Sequence, residues 1–304
     1  MKRASIDIGS NTVLLLVAEV EDNEILRELA NESRVTSLGK DLDINKVFNE
    51  KSMKETFEGL KQYREILLKL EVTPEETIVT ATEAARVASN SKVFFEKVKQ
   101  ELGFNVQIID GEGEAFYTSL GVVSGTALKD DTVTIMDIGG ASTELIRVQT
   151  KPFKILSSVS LPLGSVRCSD WLKTKVFDQK IREIFETNDI SDYYTDHLMC
   201  VAGSMTSLGS MIKGLKKFDS NEVNGTRILF SDFLKFTEKI KKRTPTELLL
   251  KFPFLGKRSK SIIGGAYLGE VMGDCLKVKT FEISTLGLRY GTLTTGGIDE
   301  RFCK

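Results

Sequence analysis

The tripeptide Asp7-Ile8-Gly9 returns as Asp137-Ile138-Gly139, and the likeness extends to both sides of it. Before each stands a strand-forming run (ASIDI, TVTIMDI). After each come small polar residues and a β-rich return segment (TVLLLVAEV, TELIRVQ). One such triplet arises easily by chance; two in matching context, each near the start of its own half, do not. The repeat constrains the chain to two halves of similar build, each offering one turn to a shared cleft. The small, polar and acidic stretch 124–131 marks the boundary, giving domains over residues 1–124 and 125–304.

Between and after the repeats, strands alternate with helices. Residues 51–70 carry apolar side chains at helical spacing, ETIVTAT reads as a strand, and EAARVASNSKVFFEKVKQELG reads as one helix ending on glycine. NVQIID is a strand and EAFYTSLGVVSG a helix. In the second half SSVSLPLGSVR is a strand entering a turn, and LMCVAGSMTSLGSM a strand entering a small-residue loop and a helix start. Helices are predicted over 227–243 and 258–272, and TFEIST is a strand ahead of LGLRYGTL. This alternation gives a layered α/β fold.

Composition removes several functions. With 41% hydrophobic residues and five prolines the chain is globular, and a net charge of −1 argues against a nucleic-acid footprint. No apolar run approaches the ~18 residues of a membrane span, and MKRASIDIGSN lacks the apolar core of a signal peptide, so a cytoplasmic location is expected. Cys168, Cys200, Cys275 and Cys303 are scattered without metal-ligand spacing. The basic clusters at 213–217, 239–243 and 257–260 read singly as solvated helix faces, and together they would steer a polyanion. A single histidine, His197, excludes His-His zinc sites and suits a capping or edge position, which leaves acid–base chemistry to carboxylates.

A glycine turn lets backbone N–H groups approach an anion closely, and neighbouring hydroxyls add donors. Singly, GSNT (9–12) and GGAST (139–143) read as structural hairpin turns; as equivalent turns of a repeat they read as phosphate cradles. Asp7 and Asp137 end their strands at these turns. Asp137 with Glu144 on the return strand suits Mg²⁺, which takes one or two carboxylates plus phosphate oxygens and water. In DGEGEAFY, Glu112 and Glu114 fall in the first turn of a helix, where its dipole favours negative charge. The chain has no GxxxxGK[ST] loop and no cysteine with an arginine six positions on; DLDIN (41–45) is assigned to a surface loop.

In order along the chain, IDIGSNT, ATEAARVASN, GEGEA, MDIGGASTEL, SLPLGSVR, VAGSMTSL, a GGA-containing helix and GLRYG resemble the motifs of the exopolyphosphatase/guanosine pentaphosphate phosphohydrolase family. The resemblance covers nearly the whole chain. It implies a duplicated actin-like ATPase (ribonuclease H-like) α/β fold, two domains with an interdomain cleft, and a homodimer. By the same resemblance Glu114 is the catalytic base. Gly9, Ser10, Asn11, Thr12, Arg86, Gly139, Gly140, Ala141 and Ser142 bind phosphate, and Asp137 and Glu144 hold Mg²⁺. Inorganic polyphosphate is the expected substrate, guanosine penta- or tetraphosphate the alternative, and a non-hydrolytic alarmone sensor the alternative of another class. Three residues depart from the family pattern: Leu14 where a basic or polar residue is common, Lys260 in place of aspartate, and Ala141 in place of a third loop glycine.

Overall fold

In the computed structural model, which describes residues 1–126, 128 and 130–304, the first repeat opens a five-stranded sheet. Ala127 and Lys129, inside the expected boundary at 124–131, lie outside the described residues. The strands are β1 (Lys2–Ile8), β2 (Thr12–Glu21), β3 (Glu24–Val35), β4 (Ile78–Ala81) and β5 (Val106–Ile108), in the order β3-β2-β1-β4-β5. β1 runs antiparallel to β2 and parallel to β4. Ala4, Ile6 and Ile8 of β1 are buried on one face of the sheet, and Ser5 between them is buried on the other, against Thr292. Leu60, Tyr63 and Leu67 of the helix Glu50–Lys69 and Val98 of the helix Ser91–Leu102 complete this core. The Asn49 side chain caps the first of these helices by accepting from the Ser52 amide at 2.9 Å.

The second repeat opens a six-stranded sheet: β6 (Thr132–Ile138), β7 (Thr143–Gln149), β8 (Lys154–Leu161), β9 (His197–Val201), β10 (Thr226–Leu229) and β11 (Thr280–Ile283). Its order is β10-β11-β9-β6-β7-β8. Read as β8-β7-β6-β9-β11, it repeats the plan of the first sheet, third-second-first-fourth-fifth, with β10 added at one edge. A mixed sheet of this order, occurring twice, is the duplicated ribonuclease H-like fold of actin-like proteins.

The chain divides into two compact units, Met1–Gly125 with Gly287–Lys304, and Thr126–Leu286. The segment after residue 286 thus returns to the first unit, whereas a sequence reading groups it with the second. Other local differences have local causes. The helix expected over 83–103 breaks into Glu83–Val87 and Ser91–Leu102, because the Asn90 side chain turns to bond the Phe48 backbone at 2.8 and 3.0 Å. Residues 227–229 belong to β10, ahead of the helix Phe230–Lys241. The helix Ala202–Ile212 starts directly from β9 with no loop, and Ala202 takes φ 65° to make that turn. The expected helix at 258–272 is a 3₁₀ segment, Pro253–Lys260, followed by the helix Ile262–Cys275. Within 41–45 lies one helical turn, Leu42–Asn45. Among the described residues no helix is long and apolar enough to cross a membrane.

The motif GLRYG explains itself in the fold. The helix Leu288–Thr295 crosses the helix Gly111–Gly125 so closely that a Cβ on Gly291 would collide with the Tyr117 carbonyl. A Cβ on Gly121 would likewise collide with the Gly287 carbonyl. Arg289 donates to the Leu15 carbonyl at 2.7 Å and to Asn31 at 3.0 Å, and the Tyr290 hydroxyl donates to Glu28 at 2.7 Å. These bonds pin the crossing helix to β2 and β3. Gly291→Ala is expected to cost about 1–3 kcal/mol by forcing the two helices apart. Denaturant unfolding checks this, with Gly297→Ala, in open space, as the neutral control.

Candidate functional site

Both repeat turns close in the same way. The Gly9 amide donates to the Thr12 carbonyl at 3.0 Å, and the Gly139 amide to the Ser142 carbonyl at 3.0 Å. Their outer supports differ. In the first unit the segment Thr36–Gly39 straps the loop, with Gly39 N–H donating to Ser10 O at 2.7 Å and the Thr36 and Ser37 amides both to Asn11 O at 3.0 Å. In the second the support is the start of the helix Ser165–Thr174: the Ser165 amide donates to Gly139 O and the Val166 amide to Gly140 O, each at 3.0 Å. A Cβ on Gly164 would collide with the Gly140 and Ala141 backbone, so glycine is required where the helix meets the loop. Each brace takes up loop carbonyls. In the first loop, among the described residues, the Ser10 and Asn11 amides donate to no protein group. A loop held by its carbonyls is suited to present amides to an anion.

The carboxylates at these turns are placed by strand register. Asp137 of β6 lies directly opposite Glu144 of β7, so both side chains share one face of the sheet. Glu144 is buried and accepts from the Ser160 hydroxyl at 2.8 Å. Two like charges at a directly opposed pair are unfavourable without compensation, and the donors are hard oxygens. Among the described residues no cluster of three or more metal-ligating side chains occurs. A pair is what Mg²⁺ uses when phosphate and water complete its shell, so these residues fit that ion. In the first unit the equivalent pair is Asp7 opposite Leu14, one carboxylate and one hydrocarbon.

The fourth acid is Glu114, on the first turns of the helix Gly111–Gly125. Asp110 starts this helix, its carboxylate accepting from the Gly113 amide at 2.8 Å. Arg86 Nη1 donates to Glu114 at 3.0 Å and to the Ile109 carbonyl at 2.8 Å, and Arg86 Nη2 donates to Glu83 at 2.9 Å. Burial is the strongest influence on Glu114 and lifts its carboxyl above the ordinary range. Arg86 pulls it down, and the charge of Glu83 offsets part of that pull.

The chain from residue 16 to 296 matches the Ppx/GppA phosphatase family. The chain belongs to this family. It is 31% identical over 239 residues to a bifunctional 3-dehydroquinate synthase/phosphatase of Fusobacterium nucleatum, covering 73% of this chain and 36% of that protein. It is 34% identical over 216 residues to the guanosine-5'-triphosphate,3'-diphosphate pyrophosphatase of Aliivibrio fischeri, covering 67% and 41%. The chain thus spans well under half the length of these two relatives. Exopolyphosphatase 2 of Mycobacterium tuberculosis is 24% identical, with 90% of each chain covered. Among solved structures, the Aquifex aeolicus PPX-GPPA enzyme superposes with a TM-score of 0.77 at 28% identity, covering 97% of this chain and 99% of that one.

Within this Ppx/GppA protein the motif residues sort by unit. Gly9, Ser10, Asn11, Thr12, Asp7, Arg86 and Glu114 lie in the first, and Asp137, Gly139, Gly140, Ala141, Ser142 and Glu144 in the second. Arg86, expected to grip phosphate, is engaged on two carboxylates and a carbonyl. Glu112 is exposed, apart from Glu114. His197 starts β9, whose other end, Val201, lies beside Asp137, so the histidine sits a strand-length from the acid. It lies 3.0 Å from Glu282, which Arg227 also holds at 2.7 Å. Within the basic clusters, Lys241 pairs with Glu270, Lys242 with Glu238 and Arg243 with Glu247, which makes 239–243 an ion-paired helix face.

Sequence reasoning missed Glu83 and Arg258. Glu83 had a signal, a carboxylate three residues before Arg86 on one helix. Arg258 packs on Gly203 and donates to Ser207 at 3.0 Å, and burial draws its guanidinium down to about 10. Nothing local in the sequence joins residues so distant.

Asp7 is strongly perturbed. Burial, then the charge of Glu114, pushes it to about 7 against Arg289, and its Oδ1 is shielded with no hydrogen-bond partner. Raised affinity for a proton makes its ionised form a cost to folding. That cost is absent below 3.8, grows as pH rises toward 7 and is complete above it. In metal-free buffer Asp7→Asn is therefore expected to raise the melting temperature, more at pH 8 than at pH 5. An equal gain at both values would show that Asp7 is not held in this way.

Proposed function

We propose that this protein hydrolyses the terminal phosphoanhydride of inorganic polyphosphate, with Glu114 as general base and Mg²⁺ held by Asp137 and Glu144. The observation that carries the reading is Glu114 itself, a carboxylate with raised proton affinity, fixed by Arg86 on the first turns of a helix. A base with raised proton affinity takes a proton from water more readily than an ordinary carboxylate. Water then forms a bond to the terminal phosphorus, its proton passes to Glu114, and the bridging anhydride oxygen leaves with its electron pair. The loops Gly9–Thr12 and Gly139–Ser142 serve as anion cradles, their amides orienting phosphate oxygens. When bound, Mg²⁺ supplies charge neutralisation for the phosphoryl group in transfer.

Two observations support polyphosphate as the substrate. The likeness to a protein named exopolyphosphatase 2 spans 90% of both chains, whereas the guanosine pentaphosphate relative is matched over 41% of its length. Leu14, facing Asp7 across the hairpin, offers hydrocarbon where the family pattern resembled by the sequence has a polar or basic group. The second reading, removal of the 5′ γ-phosphate of guanosine pentaphosphate, is favoured by the 34% identity to that relative.

Phosphate release measured side by side on long polyphosphate, short polyphosphate and guanosine pentaphosphate decides between them. Polyphosphate is expected to give the highest kcat/KM; release from guanosine pentaphosphate alone would establish the second reading. Tight binding of guanosine tetraphosphate with no turnover of any substrate would make the protein a sensor. Glu114→Gln is expected to lower kcat by roughly 10²-fold or more, the scale of a positioned base. Full activity in that variant would remove Glu114 from the mechanism.

A further inference from the structure

Residues Asp299–Lys304 follow the span 16–296 matched to the family. They run alongside the segment that leads into the helix of Glu114. The Lys304 amide donates to Ile108 O and the Asp110 amide to Phe302 O, each at 2.9 Å, while Ile109 and Cys303 form an antiparallel bridge. Two of the residues so fixed matter to the site. Ile109 supplies the carbonyl that receives Arg86 Nη1, and Asp110 caps the Glu114 helix.

Side chains extend the same tie. Phe302 is buried, its ring 5.3 Å from that of Phe116 and 5.8 Å from that of Tyr117. Its Cβ lies over Gly113, the residue before Glu114, where any added Cβ would come within 2.7 Å of it. The second glycine of GEGEA, Gly113, is therefore explained by close approach of Phe302 (no phosphate is needed to account for it). One turn further on, the Tyr117 hydroxyl accepts from the Asp299 amide at 2.8 Å.

We propose that the segment Asp299–Lys304 is a positioning element for the reaction: Phe302 seats the first turn of the Glu114 helix, and the pairing with 108–110 fixes the carbonyl that orients Arg86. Phe302 touches no reacting atom and acts through Gly113, Tyr117 and Ile109. The inference rests on the reading of Glu114 as the base. Positioning errors well under a bond length are enough to slow such chemistry, while ground-state binding of phosphate, made elsewhere, is spared.

The test is steady-state phosphate release from short polyphosphate by full-chain Phe302→Ala and Phe302→Leu proteins, with amide hydrogen exchange over 112–117. In Phe302→Ala, kcat is expected to fall ~10-fold or more with KM within ~2-fold, and the acid limb of the pH profile to move. Phe302→Leu, which refills most of the space, is expected to recover kcat to within ~3-fold. Exchange at 112–117 is expected to quicken in the alanine variant. Unchanged exchange there, or a kcat loss matching only the unfolded fraction seen by circular dichroism, would overturn the proposal. If Phe302→Ala does not fold, Tyr117→Phe, which removes the Asp299 bond without leaving a cavity, takes its place. It is expected to show a smaller loss of kcat in the same direction, and wild-type kcat and exchange would overturn the tie. Should Glu114→Gln keep full activity while exchange still quickens in Phe302→Ala, the base assignment falls and the segment's hold on the helix stands.

Discussion

An arginine set between two carboxylates determines much of how the first unit works. Arg86 is nearly buried, and so is the Glu114 carboxylate it holds. Burying a lone charge is expensive, and removing one partner of such a pair leaves the other uncompensated. The fold meets this by converging several elements on one guanidinium: Glu83 from its own helix, Glu114 from the helix Gly111–Gly125, and the Ile109 carbonyl from just past the end of β5. Because burial outweighs the pull of Arg86, and the charge of Glu83 offsets part of that pull, Glu114 is fixed in place without being driven to the low proton affinity of a simple ion pair. Arg86 is therefore tied to Glu114, the proposed base, and an Arg86 side chain fully committed to phosphate would release it.

Duplication explains the remainder, and so does divergence between the copies. The two turns share one closing hydrogen bond and one strand register, yet their supports and acids differ. The second copy sets Asp137 against Glu144, a pair suited to a divalent ion. The first sets Asp7 against Leu14, and the unmatched Asp7 takes a proton more readily as burial and Glu114 act on it. The same hairpin plan thus carries an opposed acid pair in one unit and a lone, half-buried acid in the other.

The repeat, the strand pairs at the turns and the helix of Glu114 were legible because each is local: alternation, a DIG turn and a first-turn glutamate are read within a few residues. What was not legible depends on distant parts of the chain. The break after Val87 is made by Asn90 reaching Phe48. The short β10 is a strand because it pairs with β11, more than fifty residues later. GLRYG was recognised as a motif, but its glycine could be understood only against the Tyr117 carbonyl. At the site, residue types and turns were readable, while the engagement of Arg86 by Glu83 and Glu114 and the seating of Phe302 on Gly113 required the folded chain.

The central claim is that burial, reinforced by the charge of Glu83 and held in check by Arg86, raises the proton affinity of Glu114, as the proposed base requires. Its most direct measurement is the carboxyl ¹³C titration of Glu114 in protein labelled at glutamate, assigned by the signal lost in Glu114→Gln. A midpoint clearly above 4.5, the ordinary glutamate value, is the predicted result. A midpoint at or below 4.5 would contradict it, leaving Glu114 as one half of a structural ion pair.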